Sequence, residues 1–235
     1  MRLLLSLKGE FVMDSLNLLF IIVNRSNEKK VLKLISKYKI GFKTVMYGSG
    51  TASSSLLEYF DLNDEEKSIV MFILPPIMCK HILKMLKEKM NVDDYGKGIA
   101  FSIPLSSSTK YMLDFYQNCE MEDIEMEEAN KHLIMTIVNE GYAEKVMTEA
   151  KKKGATGGTT INGRGLASGK VIKFIGLSIE PEKDIVLILV PSEKKKDIMD
   201  TITKNCGLKT PGAGICFSLP VDYAIGLNKE IMAIK

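Results

Sequence analysis

Apolar residues fall in short runs separated by polar segments along this chain. Two runs rich in isoleucine and valine, Leu16 to Val23 and Leu133 to Val138, are short and predict buried β-strands. Two further runs, Ile69 to Leu74 and Ile185 to Val190, each end immediately before a proline and also predict strands. The pattern therefore predicts two buried strands in each half of the chain.

Helical periodicity follows these strands in both halves. The first helix of the second half presents one apolar face at positions i, i+3, i+4 and i+7, formed by Ala143, Val146, Met147 and Ala150. The corresponding face in the first half is formed by Val31, Leu32, Ile35 and Tyr38. A second helix is predicted after each proline, with Cys79, Ile82, Leu83 and Leu86 as its buried face in the first half. In the second half Ser192 is predicted to cap this helix.

The two halves also share sequence. Gly48-x-Gly50-x-Ala52-Ser53 matches Gly163-x-Gly165-x-Ala167-Ser168, and Gly96-x-Gly98-Ile99-x-Phe101 matches Gly212-x-Gly214-Ile215-x-Phe217. A repeat of this length indicates two copies of one small domain. The element order of each copy is β-α-β-β-α-β, the ferredoxin-like arrangement of an antiparallel sheet with both helices on one face. We therefore predict an α+β protein of two tandem ferredoxin-like domains, with the uncovered sheet face used for oligomerisation.

The domain boundaries follow from the repeat. Residues 1–13 are predicted as an N-terminal extension, with Met13 as an alternative start, followed by a first domain over 14–108. A linker over 109–130 and a second domain over 131–235 complete the chain. The linker contains six acidic residues among the nine from 120 to 128. Its apolar residues would also allow a short amphipathic helix, although a solvated linker is favoured.

Composition narrows the function classes. The 235 residues are 46% hydrophobic and 26% charged, which is typical of globular domains. A net charge of +3 gives no argument for nucleic acid. The apolar run from Leu3 to Leu7 is too short to cross a membrane, and the four cysteines show no paired spacing. We therefore expect a cytoplasmic protein with reduced thiols that neither inserts into membranes nor binds nucleic acid.

The richest candidate chemistry lies between Gly154 and Lys170, where six of seventeen residues are glycine. Exposed backbone N–H groups in such a segment can form an anion-binding site. The positive charges of Arg164 and Lys170 would complete this site. The P-loop motif fails because Arg164 stands where its first glycine belongs, and the dinucleotide fingerprint fails at Ser168. A flexible hairpin loop without a ligand remains the alternative.

Taken together, several of these motifs resemble those of a known protein family. The pattern Gly154-x-Thr156-Gly157-x-Thr159 before a long loop, with Gly212-x-Gly214-Ile215-x-Phe217 after the second helix, resembles the P-II nitrogen-regulatory signalling family. The resemblance covers residues 131–222, and 16–105 through the repeat. It implies trimers that bind ATP or ADP between neighbouring subunits, and a long T-loop that changes shape and docks onto target proteins. In this chain the T-loop corresponds to residues 164–183.

The resemblance also implies ligand-binding residues in the second copy. One group lies beside the nucleotide base, a second forms the base of the T-loop near the phosphates, and a third follows the second helix as the B-loop. With the two cations named above, the predicted set is Thr156, Gly157, Thr159, Gly163, Arg164, Gly165, Lys170, Gly212, Ala213 and Gly214.

This chain departs from the family at its phosphate-binding cations. The family's Gly-Asp-Gly-Lys becomes Gly212-Ala213-Gly214-Ile215, and its paired arginines fall near Ala224 and Gly226. Charge-assisted hydrogen bonds contribute about 1.5–3 kcal/mol each, so we expect a ligand other than ordinary MgATP held in the standard way. The cofactor is unknown, with ATP, ADP and AMP as candidates. The first copy departs further and is interpreted as mainly structural, although it keeps Lys97 between its B-loop glycines.

Three function classes follow. The leading hypothesis is a P-II-like regulatory homotrimer that binds a small effector at an intersubunit or interdomain cleft and signals to a protein target through the 164–183 segment. The second is an interaction module of the same fold without nucleotide binding. The third, a metal-responsive trimer like the CutA proteins, is the weakest because the chain has only two histidines and unclustered cysteines. No enzyme activity is expected, since His81 and His132 stand in no recognisable nucleophile pattern.

Overall fold

The computed structural model describes residues 15–51, 65–94, 97–165, 172–174, 177–179 and 182–227. The predicted extension over residues 1–13 and the candidate Lys170 lie outside this part of the chain. The strands are β1 (Asn17–Asn24), β2 (Lys43–Gly50), β3 (Glu65–Leu74), β4 (Ile99–Pro104), β5 (Lys131–Asn139), β6 (Thr159–Arg164), β7 (Ile172–Phe174), β8 (Leu177–Ile179), β9 (Glu182–Pro191), β10 (Ile215–Val221) and β11 (Tyr223–Ile225). The α-helices are α1 (Glu28–Ile35), α2 (Pro76–Met90), α3 (Lys110–Phe115), α4 (Ala143–Lys151) and α5 (Ser192–Cys206), and a 3-10 turn at Arg25–Asn27 precedes α1.

The chain divides into two compact units. Unit 1 contains residues up to 46, residues 68–130 and residues from 220 onward. Unit 2 contains residues 47–67 and 131–219. Each unit therefore takes most of one predicted copy and a short segment from the other half of the chain.

Unit 1 has the strand order β2-β3-β1-β4-β11. Strand β4 pairs antiparallel with β1 and also with β11, so that Phe101 lies between Phe20 and Ala224. The apolar faces of α1 and α2 pack against the sheet, as the sequence predicts. The buried helical residues of this core are Val31, Ile35, Met78, Cys79, Ile82, Leu83, Met85, Leu86 and Met90.

Unit 2 has the order β10-β5-β9-β6, followed by the distal end of β2. Strand β9 pairs antiparallel with both β5 and β6, and the short hairpin β7–β8 lies between β6 and β9 in the chain. The helical side of its core is formed by Val146, Met147, Ala150, Ile198, Ile202 and Cys206. The strand order 4-1-3-2 of the ferredoxin-like arrangement appears in each unit, so the predicted α+β class is confirmed.

The helix ends follow from local chemistry. Helix α2 begins with Pro76 at its first position, where no amide hydrogen is needed, and ends at Asn91 with φ 49°. The N-terminus of α4 is capped from β9, because Asp184 Oδ2 accepts hydrogen bonds from the amides of Gly141 (2.9 Å) and Ala143 (3.2 Å). The prediction that Ser192 caps α5 is wrong. Pro191 occupies the cap, and the Ser192 hydroxyl bonds to His132 instead.

The segment predicted as an acidic linker packs on unit 1. It contains α3, and the buried Tyr116 donates a hydrogen bond from its hydroxyl to the Ile73 carbonyl (2.9 Å). Residues 120–128 form neither a helix nor a strand. Asp123 lies 2.8 Å from Lys80 Nζ, and Met121 and Met126 pack against the core of unit 1.

Candidate functional site

Residues 154–159, which we call the glycine–threonine loop, connect α4 to β6 in unit 2. Gly154 has φ +88°, a conformation that favours glycine, and its carbonyl oxygen lies 3.5 Å from Lys194 Nζ. Thr156 is exposed and Thr159 is buried. The loop therefore presents Thr156 and Gly157 to solvent beside a lysine from α5.

Gly158 anchors the other end of the loop. A Cβ atom at this position would lie 2.8 Å from Met147 Sδ and 2.9 Å from the Leu187 carbonyl oxygen, so only glycine fits. Its own carbonyl oxygen accepts two hydrogen bonds from Thr51, one from the amide (2.9 Å) and one from Oγ1 (3.0 Å). Thr51 belongs to unit 2 although it lies in the first half of the sequence.

A second group of candidate residues lies at the far end of β6. Gly163 pairs with Lys183 of β9, and Lys183 pairs on its other side with Asn139 of β5. The Asn139 amide donates to the Gly212 carbonyl (2.8 Å), which brings the B-loop to the same end of the sheet. Gly163 and Gly212 thus lie toward the same end of the sheet, and the length of β6 separates Gly163 from the glycine–threonine loop.

Lys183 is the cation of this second group. Its Nζ donates to Asn139 Oδ1 (2.6 Å), and Asn139 Nδ2 donates to the Pro211 carbonyl (2.9 Å). The half-buried lysine is therefore held at the end of β5, and Asn139 connects it to the Pro211 carbonyl beside the predicted B-loop. Arg164, also a candidate, is exposed at the last position of β6.

Packing requires glycine at Gly214 and leaves little room for a side chain at Gly212. A Cβ atom at Gly212 would lie 3.1 Å from Tyr142 Cδ1, and one at Gly214 would clash with the Cys206 carbonyl and lie 2.7 Å from Val138 Cγ1. Ala213 between them has φ 46°, and the Gly214 amide donates to the Cys206 carbonyl (2.8 Å). These glycines hold the loop close to β5 whether or not a ligand is bound.

The positions that correspond to the family's arginines serve another purpose here. Ala224 lies in β11, and the Gly226 amide donates to Asp93 Oδ1 (2.9 Å). Gly226 has φ +82°, and a Cβ atom there would clash with the Gly98 carbonyl. No arginine side chain fits at Gly226 in this arrangement, because the segment is packed against unit 1.

His132 lies beside a serine, a contact that the sequence analysis did not anticipate. Its Nδ1 is 3.1 Å from Ser192 Oγ and its Nε2 is 3.1 Å from Lys195 Nζ. A charged lysine can only donate, so Nε2 accepts and the Nδ1 hydrogen points to Ser192. Burial and the Lys195 charge lower the pKa of His132. In this tautomer the histidine cannot take the Ser192 proton through Nδ1, and the contact is not a catalytic pair.

Other regions offer little binding chemistry. A shallow depression of about 540 Å³ on unit 1 is lined by Lys80, Asp123, Glu125, Met126 and Glu127, a predominantly acidic set unsuited to an anion.

Within the described ranges, no three His, Cys, Asp or Glu side chains are grouped so as to hold a metal ion. Burial raises the pKa of the Cys79 and Cys206 thiols, which keeps them protonated. No helix in the described part of the chain is long and apolar enough to cross a membrane.

Sequence reasoning missed Thr51, Asn139, Lys183 and Lys194. The internal repeat could have indicated Asn139 and Lys183, because the first half has the same residue types, Asn24 and Lys67, at the corresponding positions. The contacts of Thr51 and Lys194 join residues far apart in the chain. No local pattern indicates such pairs.

Comparisons with known proteins return structural likenesses alone. Neither a family model nor a curated protein matches this chain. Arabidopsis thaliana PII bound to citrate is 21% identical, with 40% of this chain and 77% of that chain covered and a TM-score of 0.30. A PII-like signaling protein from Thermus thermophilus is 15% identical, with 46% and 100% covered and a TM-score of 0.32. Aspartate kinase from Synechocystis is 8% identical, with 88% and 43% covered and a TM-score of 0.29. TM-scores this low establish neither a family nor a function.

Proposed function

We propose that this protein is a P-II-like regulatory protein that binds a small anionic ligand, an adenine nucleotide in the first instance, along β6 of unit 2. The observation that carries the proposal is Lys183, which pairs through its backbone with Gly163 and donates from its ammonium to Asn139 Oδ1 at the end of β5. It supplies a positive charge at the end of the sheet where the sequence lacks the family's phosphate-binding lysine. The protein acts by binding and not by catalysis.

The spacing of the two residue groups fits an elongated ligand. Thr159 and Gly163 are four residues apart on β6, which corresponds to about 13 Å at the usual strand rise. In the proposed pose the base lies beside Thr156, Gly157 and Thr159. The phosphates then lie at the other end, near Gly163, Gly165 and the B-loop residues 212–214, with Lys183, Arg164 and Lys170 as cations.

The proposed site is part of a proposed regulatory mechanism. Ligand binding at the T-loop base alters the 164–183 segment, which then docks onto a protein target. We retain the tandem duplication with domains over 14–108 and 131–235, assembly as a cytoplasmic homotrimer, and a mainly structural first copy as parts of the same proposal.

The second candidate function is an interaction module of this fold that binds no nucleotide. The packing of the predicted B-loop favours it, because close contacts to Val138 and the Cys206 carbonyl account for Gly214 without a ligand. The absence of charge at Ala213 points the same way.

Calorimetric titration and thermal shift with ATP, ADP, AMP, cyclic AMP and 2-oxoglutarate test the proposal. A ligand that binds only the folded protein raises its stability by about 2.7 kcal/mol at a hundredfold excess over Kd. We expect an adenine nucleotide to bind and Lys183→Met to weaken its binding at least tenfold, since a charge-assisted contact contributes about 1.5–3 kcal/mol.

Lys196→Met is the matched control. Lys196 is exposed on α5 and pairs with Asp200 at 2.6 Å, so its loss should leave affinity unchanged. Equal weakening by both substitutions would point to a general charge effect rather than a site. A wild-type protein that binds none of these ligands would favour the interaction module.

A further inference from the structure

The glycine–threonine loop of unit 2 is held by a residue from the first half of the sequence. Thr51 directs both its amide (2.9 Å) and its hydroxyl (3.0 Å) to the Gly158 carbonyl. It follows the distal end of β2, where Ser49 pairs with Thr160 and Gly50 pairs with Thr159. The outer edge of β6 is therefore paired at the point where the loop enters the strand.

Contacts other than those with Thr51 also hold the two ends of this loop. Close contacts with Met147 and Leu187 leave Gly158 no space on its other side, and Lys194 contacts the Gly154 carbonyl at the start of the loop. The exposed Thr156 and the half-buried Gly157 lie between these two anchors. The two hydrogen bonds from Thr51 hold the Gly158 carbonyl and so add a restraint on the backbone next to Gly157.

We propose that Thr51 is a positioning residue for the ligand site of unit 2. It acts through Gly158, whose carbonyl it fixes, and so sets the position of the backbone at Thr156 and Gly157. The glycine motif of the first copy, which begins at Gly48, then serves the site of the second copy rather than a site of its own. This inference rests on the proposed function, because it assigns a new residue to that site.

Hydrogen exchange in the ligand-free protein tests the positioning step. Thr51→Val keeps the branched side chain and the backbone amide but removes the hydroxyl donor. Because one neutral hydrogen bond is lost, we expect exchange in a peptide covering 154–160 to become about three- to tenfold faster. Thr51→Ser should restore the wild-type rate, and Ser49→Ala should not change it, since Ser49 is joined to β6 through backbone pairing. Unchanged exchange in Thr51→Val overturns the proposal.

Titration with ATP and ADP supplies the second readout. We expect Thr51→Val to weaken binding by the same three- to tenfold and Thr51→Ser to restore it. Faster exchange with unchanged affinity for a nucleotide that the wild type binds would also overturn the proposal. If the wild type binds no nucleotide, the proposed function fails, whereas the exchange rates still decide whether Thr51 positions the loop.

Discussion

At the scale of single residues, the start of β6 contains a polar group for which the described residues supply no hydrogen-bond partner. Thr160 is 9% exposed, and within the described residues its Oγ1 has no hydrogen-bond partner. Burying a hydroxyl without a partner costs about 1–3 kcal/mol. The same strand carries the candidate residues Thr159 and Gly163, so this cost falls within the region assigned to the ligand.

Thr160→Val is expected to raise the free energy of unfolding by about 1 kcal/mol, because valine has nearly the same shape and buries no polar atom. Urea unfolding monitored by circular dichroism measures the change. Thr136→Val is the matched control, since Thr136 is also buried in a strand but its Oγ1 lies 3.5 Å from Cys216 Sγ. A Thr160→Val protein that is less stable than the wild type would show that the hydroxyl has a favourable partner.

The sequence identified some of the candidate site residues and missed others. It identified Gly212 and Gly214 because the repeat preserves them, and the structure supplies the reason in their contacts with β5 and the end of α5. It did not identify Lys183 as a site residue, because a lysine at the start of a strand is ordinary in a sequence. Only the register of β9 with β5 and β6 places that lysine between Asn139 and Gly163.

At the scale of elements, α4 depends on a carboxylate from another strand. Asp184 is 6% exposed, and its Oδ2 accepts from the amides of Gly141 and Ala143 at the helix N-terminus. The cap comes from β9 rather than from the residue before the helix, and Tyr142 at the cap position makes no capping hydrogen bond through its side chain. The helix is therefore fixed to the sheet by its first turn.

Asp184→Ala is expected to destabilise the protein by about 1–2 kcal/mol, since the first amide of α4 and the Gly141 amide just before the helix lose their acceptor. Asp184→Asn keeps an acceptor oxygen and should cost less. Both values follow from urea unfolding at neutral pH. An alanine variant as stable as the wild type would mean that water satisfies these amides equally well.

The elements themselves were largely predictable. The buried faces of α1, α2 and α4 follow from periodicity, which depends on burial alone and so can be recognised in the sequence. Caps were less predictable because they depend on tertiary contacts. Ser192 has the right chemistry for a cap, but Pro191 occupies the cap position and the Ser192 hydroxyl accepts from His132 Nδ1 instead.

At the scale of the whole molecule, β10 leaves apolar side chains uncovered in unit 2. Ile215 and Phe217 are 46% and 38% exposed, and both alternate with Cys216, which packs toward the helical core. They lie on the edge strand of this sheet. An exposed apolar edge strand favours association, which is the basis for retaining the proposed homotrimer.

Phe217→Asp is expected to lower the mass in light scattering from about three times 26.2 kDa toward that of one chain at micromolar concentration. The charge would have to be desolvated on assembly, which opposes the contact. Tyr111→Asp provides the control, because Tyr111 is 77% exposed on α3 in unit 1. A wild-type protein with the mass of a single chain would contradict the trimer, and equal effects of both substitutions would contradict the assignment to β10.

The position of β11 has a consequence for biosynthesis. This strand completes the edge of unit 1 by pairing with β4, and the Gly226 amide closes on Asp93. On the ribosome, β4 is translated long before its partner, with all of β5 to β10 emerging in between. The edge of unit 1 beside β4 therefore stays open until β5 to β10 have been translated, so this unit is completed only after most of unit 2 has been made.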